Sequence, residues 1–321
     1  MVQLSPDTRI YDSDACSGYH YSDSLVNGFS HTHLSGTGCA DYGDVLVMPV
    51  VGDVDIRKMP LGSQNTSYAS AFSHKKEEAI PGYYSVMLDR YNVKAELTTS
   101  QRAGFHKYTF PASDKAGMLI DLDYAIQGQV TKELTLEVIS DTEIVGYKKS
   151  AYWAPEQYIY FYAKTSKPFT SATFYRNDSI IAGIKNVSGS GKVLLSFAAK
   201  ADEVVMLKVG ISAVDIDGAR KNLEAEIPEW DFDKIKFATR KAWNDYLAKV
   251  DVKTKNSEYK RIFYTALYHT AIAPNLFSDV DGRYRGMDKK IYTSKENMYT
   301  VFSTWDTMRA LHPLFTIIEP A

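Results

Sequence analysis

Apolar residues recur along this chain with two different periods. Up to residue 227 they come in short or alternating runs, at 45–51, 83–88, 105–110, 118–122, 134–138, 158–162, 193–197 and 204–209. Turn signals such as Pro81-Gly82, Asn177-Asp178 and Gly189-Ser190-Gly191 separate them. Period-two patterning between such breaks predicts β-strands, and this many strands in succession predict a large β-sandwich. After Pro228 the period lengthens. Ile235, Ala238, Ala242, Tyr246 and Leu247 follow at three- and four-residue steps, with Asp231 as N-cap, which predicts a helix.

Two further helices are expected. Ser257 caps one that carries Tyr259, Ile262, Phe263, Ala266, Leu267 and Thr270 and stops at Pro274. Ser303 opens another, with Met308, Leu311, Leu314, Phe315 and Ile318 on one face and a kink at Pro313. Two helices cannot bury such faces alone, so they read as the start of a helical domain that continues past Ala321. Met1 leads straight into a strand-like pattern with no basic or apolar leader, and both ends are expected to be cuts in a longer chain.

Composition narrows the partners. The chain is 45% hydrophobic and 24% charged, enough apolar material for a sizeable core. A net charge of −2 favours neither nucleic acid nor an anionic membrane. No apolar run approaches the roughly 18 residues a membrane-spanning helix needs. Cys16 and Cys39 fit no zinc spacing; they are either two buried thiols or, in an exported protein, a disulfide.

Candidate chemistry concentrates in two segments. The first is Gly28-Phe29-Ser30-His31-Thr32-His33-Leu34-Ser35-Gly36-Thr37-Gly38. On a strand His31 and His33 would share a face, suited to a metal or a polar sugar. Zinc lacks an identifiable third ligand, and a serine nucleophile lacks the second glycine of its elbow. Histidines bonded to backbone under a Gly-rich turn remain the plainest reading. Upstream, Cys16-Ser17-Gly18-Tyr19-His20-Tyr21-Ser22-Asp23 alternates aromatic and polar groups as sugar pockets do, although the 23 tyrosines suit sheet packing equally.

The second segment is Phe302-Ser303-Thr304-Trp305-Asp306-Thr307-Met308-Arg309. Ser303 and Asp306 fit a capping box, while Trp305 beside Asp306 also fits a hexose site, ring face plus hydroxyl-accepting carboxylate. Asp215-Ile216-Asp217-Gly218 and Asp279-Val280-Asp281-Gly282 lack the later ligands of a calcium loop and read as turns. Charges such as Lys75-Lys76-Glu77-Glu78 read as solvated surface.

Taken in order, these segments resemble the family 92 glycoside hydrolases. The likeness is carried by Met1-Val2-Gln3-Leu4-Ser5-Pro6-Asp7-Thr8, the Gly28–Gly38 loop, Ser73-His74 with Pro81-Gly82-Tyr83-Tyr84, and Gly104-Phe105-His106 with Tyr108. It continues through Gly218-Ala219-Arg220-Lys221-Asn222-Leu223, Tyr264-Thr265-Ala266-Leu267-Tyr268-His269 and Trp305-Asp306-Thr307.

The resemblance implies a multidomain protein, β then α. It would have an N-terminal antiparallel β-sandwich of galactose-mutarotase type over 1–227, a helical linker over 228–252, and the first helices of an (α/α)6 barrel over 253–321. It also implies calcium-dependent hydrolysis of terminal α-mannosides with inversion, acting on a mannose-containing oligosaccharide outside the bacterial cytoplasm. The acid Glu and base Asp are expected beyond Ala321. Asp306 and Trp305 match the mannose-binding site, and Ser30, His31 and His33 fall in the signature loop and join the expected substrate-binding set. Calcium ligands are left unassigned. The alternatives are a non-catalytic carbohydrate-binding sandwich or another (α/α)6-barrel glycosidase or phosphorylase.

Overall fold

The computed structural model describes residues 1–321 except 12–17, 36–40, 58, 61, 127, 301–303 and 320–321. Cys16, Cys39 and Ser303 lie outside the described residues, and so do the disulfide and the Ser303 cap. Two antiparallel sheets dominate. The smaller runs in the order Ser5–Asp7, Gly28–Ser30, Leu46–Val51, Ser113–Asp121, Lys192–Ala199, Ser171–Arg176, Ser179–Ile181. The larger runs Asn186–Ser188, Val130–Val138, Glu143–Ala151, Gln157–Thr165, Glu203–Ser212, Ala103–Phe110, Val93–Thr99, Tyr83–Leu88, Glu77–Ile80. Every stretch read as a strand falls in one of them.

Alternation explains the layering. In Ala103–Phe110, His106, Tyr108 and Phe110 turn inward, while Phe105 and Lys107 turn to the outer face. The inner faces meet in one core where Phe110 of the larger sheet packs edge-on against Phe197 of the smaller, ring centroids 5.3 Å apart. Strand Glu143–Ala151 alternates likewise, but its inward residues include Lys148, fully buried.

Helix α1 (Ile216–Glu226) covers the outer face of the larger sheet. It lies within the stretch read as β, and the last sandwich strand ends at Ser212. Asp215, read as part of a turn, is its N-cap and accepts the Gly218 N–H at 2.6 Å. The periodic signal was weak because Asn222 occupies a buried position beside Ala219 and Leu223. Helix and sheet approach so closely at Gly210 that an added Cβ would lie 2.2 Å from the Ala219 carbonyl. Burial of Leu223 here contributes about 1.5–3 kcal/mol.

Helix α2 (Phe232–Leu247) starts at the expected cap, Asp231. Helix α3 (Ser257–Thr270) is capped by Asn256, one residue before the expected serine, whose side chain accepts from Glu258 and Tyr259. The last expected helix is two. Helix α4 (Thr304–Thr307) and helix α5 (Leu311–Ile318) are separated at residues 308–310. Pro313 therefore sits in the first turn of α5, where its missing N–H costs no hydrogen bond and no kink follows.

Where α1 ends, the Lys208 ammonium donates to the carbonyls of Ile227 (2.9 Å) and Pro228 (3.2 Å) and sits 4.2 Å from the Trp230 ring centroid. Burial lowers its pKa from 10.5 to about 8. Between those values the unfolded chain binds more protons than the folded one, so this group makes stability rise with pH. Relative to the parent, Lys208→Met should lose stability as pH rises from 8 to 10.5. Urea denaturation of both chains across that range measures the difference; a constant difference would contradict it.

Candidate functional site

Strand Gly28–Ser30 ends just before the two histidines, so their rings do not share a strand face. His31 points between the sheets. Its Nδ1 lies 2.7 Å from the Val45 carbonyl and its Nε2 lies 3.0 Å from Nε2 of His106, whose Nδ1 meets the Tyr108 hydroxyl at 2.7 Å. Partners assign the protons. A carbonyl only accepts, so His31 Nδ1 donates; His106 Nε2 then donates to His31, and the Tyr108 hydroxyl donates to His106. Both rings are neutral. Burial agrees, lowering the His31 pKa to about 4 and that of His106 well below its usual value.

His33 faces the other way, toward the N-terminal strand. Its Nδ1 lies 2.7 Å from the Gln3 carbonyl, and its Nε2 lies 2.6 Å from the Asp7 carboxylate and 2.9 Å from the Ser30 hydroxyl. Both nitrogens face acceptors, so both carry protons and the ring is an imidazolium. Burial opposes that charge, but the Asp7 carboxylate outweighs it and holds the pKa above its usual value. Gly18 covers this pair at φ +81°, and a Cβ there would lie 2.1 Å from Asp7 Oδ1. Exposure is 0% for Ser30, 0% for His31 and 4% for His33, so all three serve the protein interior here.

A second polar layer adjoins. Thr32 donates to Asp44 at 2.9 Å, and Lys148 Nζ lies 3.0 Å from Asp44 and donates to the Tyr124 carbonyl at 2.8 Å. Sequence reasoning missed Lys148, since a Lys148-Lys149 pair looks solvated. Glu77 was also read as solvated. It accepts from Tyr84 (2.7 Å) and Tyr19 (3.3 Å) and pairs with His74 at 2.5 Å. His74 in turn stacks under the exposed Tyr21 at 4.2 Å. From the expected aromatic–polar segment, Asp23 is held by Arg9 at 2.5 Å and by Thr8 at 2.7 Å.

The segment after α3 docks onto this edge of the sandwich. The Gln3 backbone N–H donates to the His31 carbonyl at 2.9 Å and its amide reaches the Ile272 carbonyl at 3.4 Å. Arg102 binds Glu226 through its guanidinium at 2.6 Å and the Ser278 carbonyl through Nε at 2.7 Å. Asp279 is buried and accepts from Ser212 (2.7 Å) and Asn222 (2.7 Å). The turn read at 279–282 is present, with the Gly282 N–H on the Asp279 carbonyl at 3.0 Å. Asn275 and Thr300 close the excursion, the Thr300 N–H meeting the Asn275 carbonyl at 2.7 Å.

Trp305 lies five residues beyond Thr300, at most about 18 Å of chain. It is 77% exposed, and the Asp306 backbone lies beside it in α4. Two groupings result: Ser30, His31 and His33 joined in a buried seam, and Trp305 with Asp306 on a short helix tethered to the seam's edge.

Against this geometry, comparison with known proteins decides the family. Residues 1–212 match the glycosyl hydrolase family 92 N-terminal domain, and residues 218–321 match the glycosyl hydrolase family 92 catalytic domain. The chain belongs to glycoside hydrolase family 92. It is similar to the family GH92 alpha-mannosidase BT3965 from Bacteroides thetaiotaomicron, 38% identical with TM-score 0.92 over 98% of this chain and 43% of that one. That enzyme is also known in complex with mannoimidazole. The GH92 inverting mannosidase BT2199 of Bacteroides thetaiotaomicron VPI-5482 is 26% identical, TM-score 0.85, over 98% of this chain and 42% of that one. A curated relative, an uncharacterized secreted glycosidase of Arthroderma benhamiae, is 26% identical over 90% of this chain and 40% of its own length. The chain thus spans about two fifths of the length of these relatives.

Among the described residues of this family 92 chain no three His, Cys, Asp or Glu side chains converge. Asp215 and Asp281 are both taken by Arg283, at 2.6 and 2.8 Å, and the Asp279 oxygens already accept two hydrogen bonds. Burial raises the Asp279 pKa to about 6. From about pH 4 to 6 the folded chain therefore binds more protons than the unfolded one, and this group makes stability fall as pH rises. Asp279→Asn keeps the shape and removes the charge, so its stability relative to the parent should climb across that window. Asp279→Ala strands the Ser212 and Asn222 donors and should cost about 2–3 kcal/mol. Equilibrium denaturation checks both; equal losses in the two variants would contradict the account.

Proposed function

We propose that this chain is the sandwich and early catalytic part of an exo-acting enzyme that hydrolyses terminal α-mannosides with inversion. The observation carrying the reading is the 38% identity and 0.92 TM-score to a family 92 α-mannosidase over 98% of the chain. In an inverting mechanism a carboxylic acid protonates the glycosidic oxygen while a carboxylate across the ring activates water, the two about 6.5–9.5 Å apart. We assign that pair to the portion of the family enzyme without a counterpart in residues 1–321, which is more than half of the mannosidase BT3965.

In this reading residues 228–252 link the sandwich to an (α/α)6 barrel whose first helices lie in 253–321. Trp305 and Asp306 bind the terminal mannose, the indole against its C–H face and the carboxylate accepting ring hydroxyls. Ser30, His31 and His33 serve the same site from beneath, by fixing Gln3 and the sandwich edge that carries the approach to α4. The calcium ligands stay unassigned; when bound in the longer protein, the ion would supply a charge that orients sugar hydroxyls. Location outside the bacterial cytoplasm fits the mannoside substrate and the secreted curated relative.

Residues 1–321 alone should not release aryl leaving groups from an aryl α-mannoside, with or without calcium, whereas the longer protein should do so and lose turnover to a chelator. Calcium-dependent turnover by residues 1–321 alone would overturn the assignment of the acid–base pair. In the longer protein Asp306→Asn should lower kcat/KM by 100-fold or more, at least about 2.7 kcal/mol of transition-state binding, while Tm moves little. If it serves only as a helix cap, kcat/KM stays near parental and the loss of about 1 kcal/mol appears in stability.

A further inference from the structure

A groove of about 480 Å³ opens on the outer face of the larger sheet, where α1 ends and the chain turns into α2. It lies on the opposite side of that sheet from the histidine seam, because Lys107 lines it while the preceding His106 points inward. Helix α1 covers the sheet only as far as Gly210 and Lys208, and the outward residues beyond, Met206 and Val204, form an uncovered floor. Trp230 stands as a wall, backed by Phe105 at 6.1 Å and by the Lys208 ammonium. Lys107, Glu229, Asp231 and Asp233 make the rim.

An apolar floor with an indole wall and a charged rim, in an open groove of this volume, leaves room for a small ligand laid against the wall. The rim selects the ligand's charge. Lys107 is paired with Glu96 at 3.4 Å, Glu229 with Lys234 at 2.8 Å, and Asp231 accepts the Lys234 N–H at 2.9 Å, so an anion meets carboxylates and a compensated ammonium, and Asp233 stays available to accept hydroxyls. A neutral molecule with one C–H face for Trp230 and Met206 and hydroxyls to donate to the carboxylates fits that rim. A pyranose has that anatomy.

The geometry points to a second, non-catalytic glycan-binding site in the Trp230 groove, taking one or two neutral hexose units of an extended oligosaccharide. The mannoside reading above supplies only the choice of probe. The test is affinity electrophoresis of residues 1–321 through gels containing α-mannan. Retardation is expected to persist in chelator and in Asp306→Asn, and to weaken at least tenfold in Trp230→Ala. Because Trp230 also packs against Phe105 on the outer face of the sheet, Val204→Glu provides the independent variant. It places a charge on a partly exposed floor position and should weaken binding as much. No retardation of the parent, retention in both groove variants, or loss in Asp306→Asn would each overturn the proposal. A retarded chain whose longer form fails to hydrolyse mannosides would overturn the catalytic reading alone.

Discussion

A carboxylate taken out of water must be met by donors, and the Asp279 carboxylate is met by two that belong to different parts of the fold. Ser212 closes the last strand of the larger sheet, and Asn222 lies on α1. The side chain enters from a third part, the excursion that leads from α3 toward Trp305. One buried group therefore holds sandwich, helix and excursion in a single arrangement, because shifting any of them strands a donor or a charge at a cost of several kcal/mol. Asn222 adds to this by accepting the Val280 N–H at 2.8 Å, and Arg102 by joining Glu226 to the Ser278 carbonyl. Gly218 is small for the same reason: a Cβ there would lie 2.3 Å from Asp279 Oδ2.

The histidine seam applies the same rule between the sheets. Tyr108, His106 and His31 hand hydrogen bonds along one line to the Val45 carbonyl, and each ring has one tautomer that satisfies it. His33 differs by carrying a proton on both nitrogens, with Asp7 as counter-charge. Such networks add little net stability over an apolar core, but only one registry completes them. They fix where the N-terminal strand and Gln3 lie against the strand that carries Ser30. In the reading proposed above, a site assembled from the edge of a sandwich and a tethered helix needs that fixity more than it needs extra stability.

Much of the sandwich was legible because its core strands alternate, as in the stretch read at 134–138: Leu134 and Leu136 face in while Thr135 and Glu137 face out. What was not legible followed from polar residues in apolar roles. Asn222 interrupted the pattern of α1, so a helix was read as the tail of the β block. Lys148 and Glu77 looked solvated because their partners, Asp44 and Tyr84, lie far away in sequence. The residue types of the seam were legible, but their directions were not. Period-two reasoning holds inside a strand, and this one stops at Ser30. Pro313 misled for a related reason, since a proline's effect depends on where the helix begins.

The contrast between the two groupings explains why Trp305 and Asp306 are readable as a motif and not as a finished pocket. The histidine rings of the seam find their partners within the sandwich. Helices α2 and α3 instead expose Phe237, Tyr259 and Ile262, and α5 buries no side chain fully. Short helices without a buried face gain little over the unfolded chain and open at low free-energy cost. The rigidity a sugar site needs at α4 must then come from what packs upon these apolar faces, and in the reading proposed above that is the remainder of the (α/α)6 barrel. In that reading the sandwich sets the position of one wall, and the opposite wall orders α4 against it. A binding motif split in this way stays recognisable by residue type, while its geometry belongs to the interface.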